Sequence, residues 1–167
     1  MIAGGHSRRV QAPAVEVAIV GAGASGTLAA IMAARNGARV TLYDTNARIG
    51  RKLLITGNGR CNLSNRAASA ERYACGDRAA LAAALNAFGV EPTLALLDEL
   101  GIPTFATPDG WCYPLSESAA SVADILAARL AELGVTSCLQ TKVADLRPSG
   151  SGWQLALGGP DKWVGAD

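Results

Sequence analysis

The chain has 167 residues, half of them hydrophobic, with 15 Lys and Arg against 14 Asp and Glu. That length and apolar content suffice for one domain with a proper core, and the balanced charge supplies no global field for attracting nucleic acid or an anionic membrane, so neither is expected as a partner. Cys61, Cys75, Cys112 and Cys138 are widely spaced with no CxxC pair, which argues against a zinc site or a disulfide framework and for reduced thiols in the cytoplasm.

Residues 1–14 read as a flexible tail of small residues, too short of apolar side chains for a signal peptide or membrane span. His6, the only histidine, falls there, so no histidine-dependent triad is expected. Val15 to Val20 is a β-branched apolar run expected of a parallel strand covered on both faces. The turn GAGASG follows at once, and Ala24 to Asn36 is alanine-rich with Leu28, Ile31 and Met32 on one face and Gly37 at its end, predicting a helix. Arg39 to Tyr43 is the second strand of a right-handed βαβ unit.

In that turn Gly21 permits the tight bend, Gly23 lets the backbone approach a pyrophosphate, and Gly26 lets helix and strand pack closely. Phosphate would meet the unpaired N–H groups and positive dipole of the helix N-terminus. Asp44, eighteen residues past Gly26 at the end of the second strand, can accept hydrogen bonds from an adenosine ribose and disfavours a 2′-phosphate there. A class I methyltransferase or a nicotinamide-only dehydrogenase shares this arrangement, and both stay open at this point.

Thr45 to Ala70 holds Arg48, Arg51, Lys52, Arg60 and Arg66 with no acidic residue. Gly50, Gly57 and Gly59 would let the main chain pass close to a flat ligand, with Asn58 tolerating an unusual conformation. The cations would neutralise a pyrophosphate or the charge that develops on a reduced flavin. Beyond it, Ala79 to Phe88 and Thr93 to Leu100 read as short helices, the second opened by Pro92, and Ile102 to Pro114 as a hairpin around a Pro-Asp-Gly turn. Glu117 to Leu133 has a clear helical period, capped by Ser116 or Ser118 and closed by Gly134. Val135 to Thr141 is expected as a further parallel strand, and Val143 to Leu146, Trp153 to Leu157 and Lys162 to Ala166 as a β-meander.

GAGASG, GRKLLITGNGRCNLSN (Gly50 to Asn65) and GWCYPLSESAASVADIL further along resemble the bacterial NAD(P)/FAD-dependent oxidoreductases of the aminoacetone-oxidase and bile-acid-reductase-like type, over most of the chain from Val15 onward. The resemblance implies an α/β, three-layer, Rossmann-like FAD/NAD(P)-binding fold, truncated. Its parts would be a βαβ unit and flavin-contact segment (15–66), an inserted helical segment (67–116), and a helix, strand and β-meander (117–167). It implies FAD as cofactor, NAD(P)H as a co-substrate, a small-molecule substrate, and electron or hydride transfer through the flavin. By position, Gly21, Gly23, Ala24, Ser25 and Gly26 would hold the pyrophosphate, Asp44 the ribose, and Gly50, Arg51 and Lys52 the next stretch of the dinucleotide. Gly59, Arg60, Cys61 and Asn62 would approach the flavin, and the Val143 backbone the adenine. No catalytic residue or metal ligand is assigned. Asn58 stands where the family often has glycine, and Trp111 where a basic residue is common.

The resemblance also implies an N-terminal fragment, expected to join a missing C-terminal portion or a second copy. A non-catalytic nucleotide-binding remnant is the remaining alternative. Cys61 beside Arg60 invites a thiolate reading, but with no resolving cysteine nearby, packing beneath the cofactor is the expectation. Cys75, Cys112 and Cys138 read as small apolar fillers, and Trp111, Trp153 and Trp163 as core or edge packing.

Overall fold

The computed structural model describes residues 14–159 and 162–166. The expected tail up to residue 13, including His6, lies outside the described residues.

The βαβ unit forms as the sequence predicts. β1 (Glu16–Val20) runs into α1 (Ala24–Arg35) and then β2 (Arg39–Tyr43), with β1 and β2 paired in parallel from Glu16↔Arg39 to Val20↔Tyr43. β6 (Thr136–Cys138) adds to the far side of β2, giving the parallel order β1-β2-β6. β2 divides its side chains by the two-residue period of a strand. Val40 and Leu42 enter a core shared with Ile31 of α1 and with Val122, Leu126 and Leu130 of α4 (Ala119–Glu132), while Arg39, Thr41 and Tyr43 face the cleft beside β9 (Trp163–Ala166). Ser118 caps α4 by accepting a hydrogen bond from the Ser121 N–H, one of the two predicted capping serines.

The third layer is the predicted antiparallel meander of β7 (Val143–Ser149), β8 (Gly152–Leu157) and β9. β7 and β8 are longer than expected and meet in a two-residue turn at Gly150 and Ser151, where Gly150 takes φ +62°. One sequence expectation fails. β1 is only half covered: Val20 is 55% exposed, and among the described residues no strand pairs with the edge of β1 opposite β2. Among the described residues β1 is paired along one edge only, which leaves its last residue open to solvent.

The inserted segment carries α2 (Arg78–Ala87), α3 (Val90–Glu99) and a small antiparallel sheet. α3 starts three residues earlier than predicted, placing Pro92 inside its first turn, where a missing N–H costs nothing because it has no intrahelical acceptor. The hairpin forms around Pro108 to Gly110 from β4 (Thr104–Ala106) and β5 (Trp111–Pro114). A two-residue strand the sequence did not reveal, β3 (Ser64–Asn65), pairs with β5 so that Ser64 faces Cys112 and Asn65 faces Trp111. Cys112 is buried as expected and Cys75 is exposed, so Cys75 is not the apolar filler expected, while Trp111 and Trp153, 42% and 47% exposed, fall on the edge side of the core-or-edge expectation. No single helix among the described residues is long and apolar enough to cross a membrane.

Candidate cofactor-binding site

The turn from β1 into α1 is built by sterics. Gly26 sits so close to the start of the turn that a Cβ there would lie 1.8 Å from the Gly21 carbonyl oxygen, and only glycine fits. At Gly23 a Cβ would meet nothing within 4 Å, so the main chain lies bare beside open space. α1 begins here without a side-chain cap or an acidic residue in its first turn, and its first hydrogen bond is from the Thr27 N–H to the Gly23 carbonyl at 2.9 Å. The N–H groups of Ala24, Ser25 and Gly26 therefore point onward unpaired, at the positive end of the helix dipole.

Asp44 stands across the turn. It accepts from the Ala22 N–H at 2.6 Å, and from the Asn46 N–H and the Asn46 side-chain amide at 2.7 Å each. Partial burial would raise its pKa, but these hydrogen bonds outweigh burial and hold the carboxyl below the usual value. Three donors leave about one of the roughly four acceptor positions of a carboxylate for a ligand hydroxyl.

The Gly50 N–H donates to the Ala22 carbonyl at 2.8 Å and pins the basic segment against the turn. A cleft of about 510 Å³ results, walled by Gly21, Gly23, Asp44, Asn46, Arg51 and Lys52, with Ile55 at its rim. Arg51 is steadied by Asn46 at 2.8 Å, and Lys52 has no ion-pair partner among the described residues. Open main chain, an uncapped helix, two cations and one carboxylate acceptor fit a dinucleotide pyrophosphate and its ribose. Ala22, Asn46 and Ile55 are the members that sequence reasoning missed, Ala22 lying inside the glycine turn itself. Asp-Thr-Asn at a strand end was the available signal for Asn46, as a side chain that folds back on a turn.

The remaining expected contacts separate from this cleft. The 3-10 segment Leu53–Gly59 is split by a kink, where Gly57 and Asn58 take left-handed conformation, φ +55° and +56°, so Asn58 tolerates the conformation anticipated for it. A Cβ at Gly57 would lie 2.9 Å from the Tyr113 ring, which locks this bend to β5. Gly59 is exposed with open space where a Cβ would stand, and it leaves room for a flat ligand. Arg60 turns away from the cleft: its guanidinium lies 4.6 Å over the Tyr113 ring and 3.6 Å from Glu117. Cys61 is fully buried in the core, and burial pushes its thiol pKa up against a hydrogen bond from Thr56, so the thiolate reading finds no support. Asn62 is half-buried and lines a separate groove. Val143 opens β7 without lining the cleft; the nearby Thr141 N–H bonds to the Asp44 carbonyl at 2.8 Å.

The family model of the HI0933-like protein Rossmann domain matches residues 15–161. The chain belongs to this family. Among curated proteins it is 38% identical over 145 residues to the 3-dehydro-bile acid delta(4,6)-reductase of Clostridium scindens, covering 86% of this chain and 35% of that protein. It is 30% identical over 141 residues to the ribosomal RNA dihydrouridine synthase of Escherichia coli, covering 84% of this chain and 35% of that one. The chain thus spans about a third of the length of these relatives. Among solved structures, THI4 of Thermovibrio ammonificans superposes with a TM-score of 0.57 at 19% identity, over 85% of this chain and 47% of that one. The Diels-Alderase PyrE3 superposes with a TM-score of 0.54 at 16% identity, over 92% and 31%. These likenesses bear out the Rossmann-like fold.

One expectation is overturned. The balanced net charge led to excluding a nucleic-acid partner, yet two of the curated proteins similar to this chain are named ribosomal RNA dihydrouridine synthases. Net charge sums over the whole surface and does not limit what a local cluster of basic and aromatic side chains can bind.

Proposed function

We propose that this HI0933-like domain binds FAD and serves an oxidoreductase that reduces a carbon–carbon double bond conjugated to a carbonyl, with NAD(P)H as electron source. The observation that carries the cofactor reading is the cleft itself, where bare main chain at Gly23, the uncapped start of α1, Asp44 and Lys52 converge. Support for the reaction class comes from two relatives with different substrates. A 3-dehydro-delta(4,6) bile acid and the uracil of uridine share a C=C conjugated to a carbonyl, and the names of both proteins describe its reduction.

FAD held here, once reduced by NAD(P)H, would supply the hydride equivalent for one carbon of such a bond, and a proton would complete the other. The chain's own residues bind and orient. The N–H groups of Ala24 to Gly26 and the Arg51 and Lys52 cations neutralise the pyrophosphate. Asp44 takes a ribose hydroxyl, and the open face at Gly59 admits the edge of a flat ring. Four free cysteines support a reducing, cytoplasmic setting.

The test is to purify the protein in its full natural length, record the flavin absorbance, and follow NADPH consumption with an enone steroid and with uridine-containing RNA. Flavin-dependent consumption with either acceptor is the expected result. A colourless protein that takes up no added FAD would refute the proposal, and uptake of nicotinamide without flavin would favour a nicotinamide-only dehydrogenase.

A further inference from the structure

A second groove, of about 530 Å³, opens where the segment after the flavin-side bend crosses β5. Its walls include Asn62, Ser64, Arg72, Tyr73 and Trp111. The β3–β5 register sets Asn65 opposite Trp111 on one face, while Cys112, the next residue, turns into the core. Trp111 is therefore held by the sheet with its ring outward, 42% exposed, and Tyr73 is 45% exposed on the same groove. Two large aromatics presented to water beside one cavity are an expense that packing does not explain.

The polar side chains here are uncommitted. The Asn62 amide, the Ser64 hydroxyl and the Arg72 guanidinium have no hydrogen-bond or ion-pair partner among the described residues. Arg48, Arg60 and Arg66, by contrast, each face a carboxylate. Aliphatic lining is confined to Leu63, Ala67 and Ala68, and the larger apolar surfaces are the Trp111 and Tyr73 rings, which suit a flat ring with π-faces better than the hydrocarbon faces of a fused-ring steroid. A ring with π-faces for the aromatics, an amide-like edge for Asn62 and a phosphate for Arg72 matches the whole set.

We propose that this groove is a subsite for a pyrimidine nucleotide: the base lies against Trp111 and Tyr73, Asn62 reads its carbonyl and N–H edge, and Arg72 holds the phosphate. The inference deepens the proposed reduction of a conjugated carbonyl system and rests on it for the choice of pyrimidine. Asn62 places the subsite three residues beyond Gly59, whose open face is the part of that segment left for a flat ring. The nucleotide is either free or part of a single strand, and the two sources present the same base and phosphate to these residues.

The experiment titrates the protein in its full natural length with UMP and with a single-stranded uridine pentamer, following tryptophan fluorescence and calorimetry, and repeats both with Trp111→Ala, Trp111→Phe, Tyr73→Ala and Arg72→Gln. Saturable binding is expected, weakened about tenfold or more by each alanine variant, as loss of one base-stacking partner requires, and largely restored in Trp111→Phe. Arg72→Gln should weaken binding and flatten its salt dependence by about one phosphate contact. Equal affinity for the two probes assigns the free nucleotide; tighter, more salt-sensitive binding of the pentamer assigns the strand. All positions substituted are at the surface, and a thermal melt of each variant reports retained folding. Absence of saturation with both probes overturns the proposal, as does binding indifferent to every variant or displacement of the pentamer by an enone steroid at lower concentration. FAD titration of Trp111→Ala separates the two readings: undiminished FAD binding with lost uridylate binding is the expected pattern. Uridylate binding by a chain that takes up no FAD would leave the subsite standing and remove the flavin proposal.

Discussion

The cleft at the glycine turn and the groove beside β5 are built by different means. The cleft at the glycine turn is framed by main chain, bare amides at an uncapped helix start, and its Asp44 carboxylate is locked by three hydrogen bonds while Arg51 and Lys52 add charge. The groove beside β5 is made of side chains that meet only because β3 pairs with a strand more than forty residues further along. A main-chain site is set by backbone sterics and suits an invariant group such as a pyrophosphate. A side-chain site can be re-equipped one residue at a time, which suits a substrate that differs between relatives.

The sharpest way to break this contrast is at Gly26. Gly26→Ala forces a Cβ into the Gly21 carbonyl, and it should cost about 3 kcal/mol of stability and abolish FAD uptake, as urea unfolding with a flavin titration will show. An unchanged melt would mean that the turn is not sterically set.

A smaller effect is expected at Asp44. Asp44→Ala strips three donors of their acceptor and should cost about 1–3 kcal/mol while weakening FAD binding about tenfold or more. Because its pKa is lowered in the fold, Asp44 stabilises fully above its unfolded value near 3.8, and that contribution is lost as pH falls below 3.8 through the folded value. The wild-type melt should therefore drop with acid more steeply than that of Asp44→Ala; parallel pH profiles would contradict the hydrogen-bonded carboxylate.

Cysteine labelling sharpens the comparison on the side of the bend. Cys75 is exposed, whereas Cys61 and Cys112 are buried and the Cys61 thiol pKa is raised. A thiol reagent at neutral pH should modify Cys75 promptly and reach Cys61 and Cys112 only on unfolding. Rapid modification of Cys61 would revive it as a reactive thiolate. The smallest effect concerns Thr27, whose buried hydroxyl has no partner among the described residues. Thr27→Val should be neutral or stabilise by up to about 1 kcal/mol in a thermal melt.

The same contrast accounts for what could be read from the sequence. GAGASG, the helix after it and Asp44 obey local rules of glycine conformation, helical period and strand ends, and the structure brings them together as read. Arg51 and Lys52 joined them because Gly50 carries the chain back to Ala22. Arg60 and Cys61 did not: sequence shows them as neighbours in one basic run, while the Gly57–Asn58 bend sends one onto Tyr113 and the other into the core. β3 was invisible because two residues carry no periodicity. Trp111 was read as packing because the outward pleat of β5 is set by its pairing with β3 and β4. The exposure of Val20 was hidden for the opposite reason: an apolar run signals a strand but not how far along it the neighbouring layers reach.

FAD titration of the wild-type chain against Gly23→Ala tests the central claim most directly. A Cβ at Gly23 meets no protein atom within 4 Å, so the variant should melt within about 1 kcal/mol of wild type, yet it should bind FAD at least about a hundredfold more weakly because the methyl occupies the space of the pyrophosphate. Equal FAD affinity in the two proteins, or no FAD binding by either, would contradict the account.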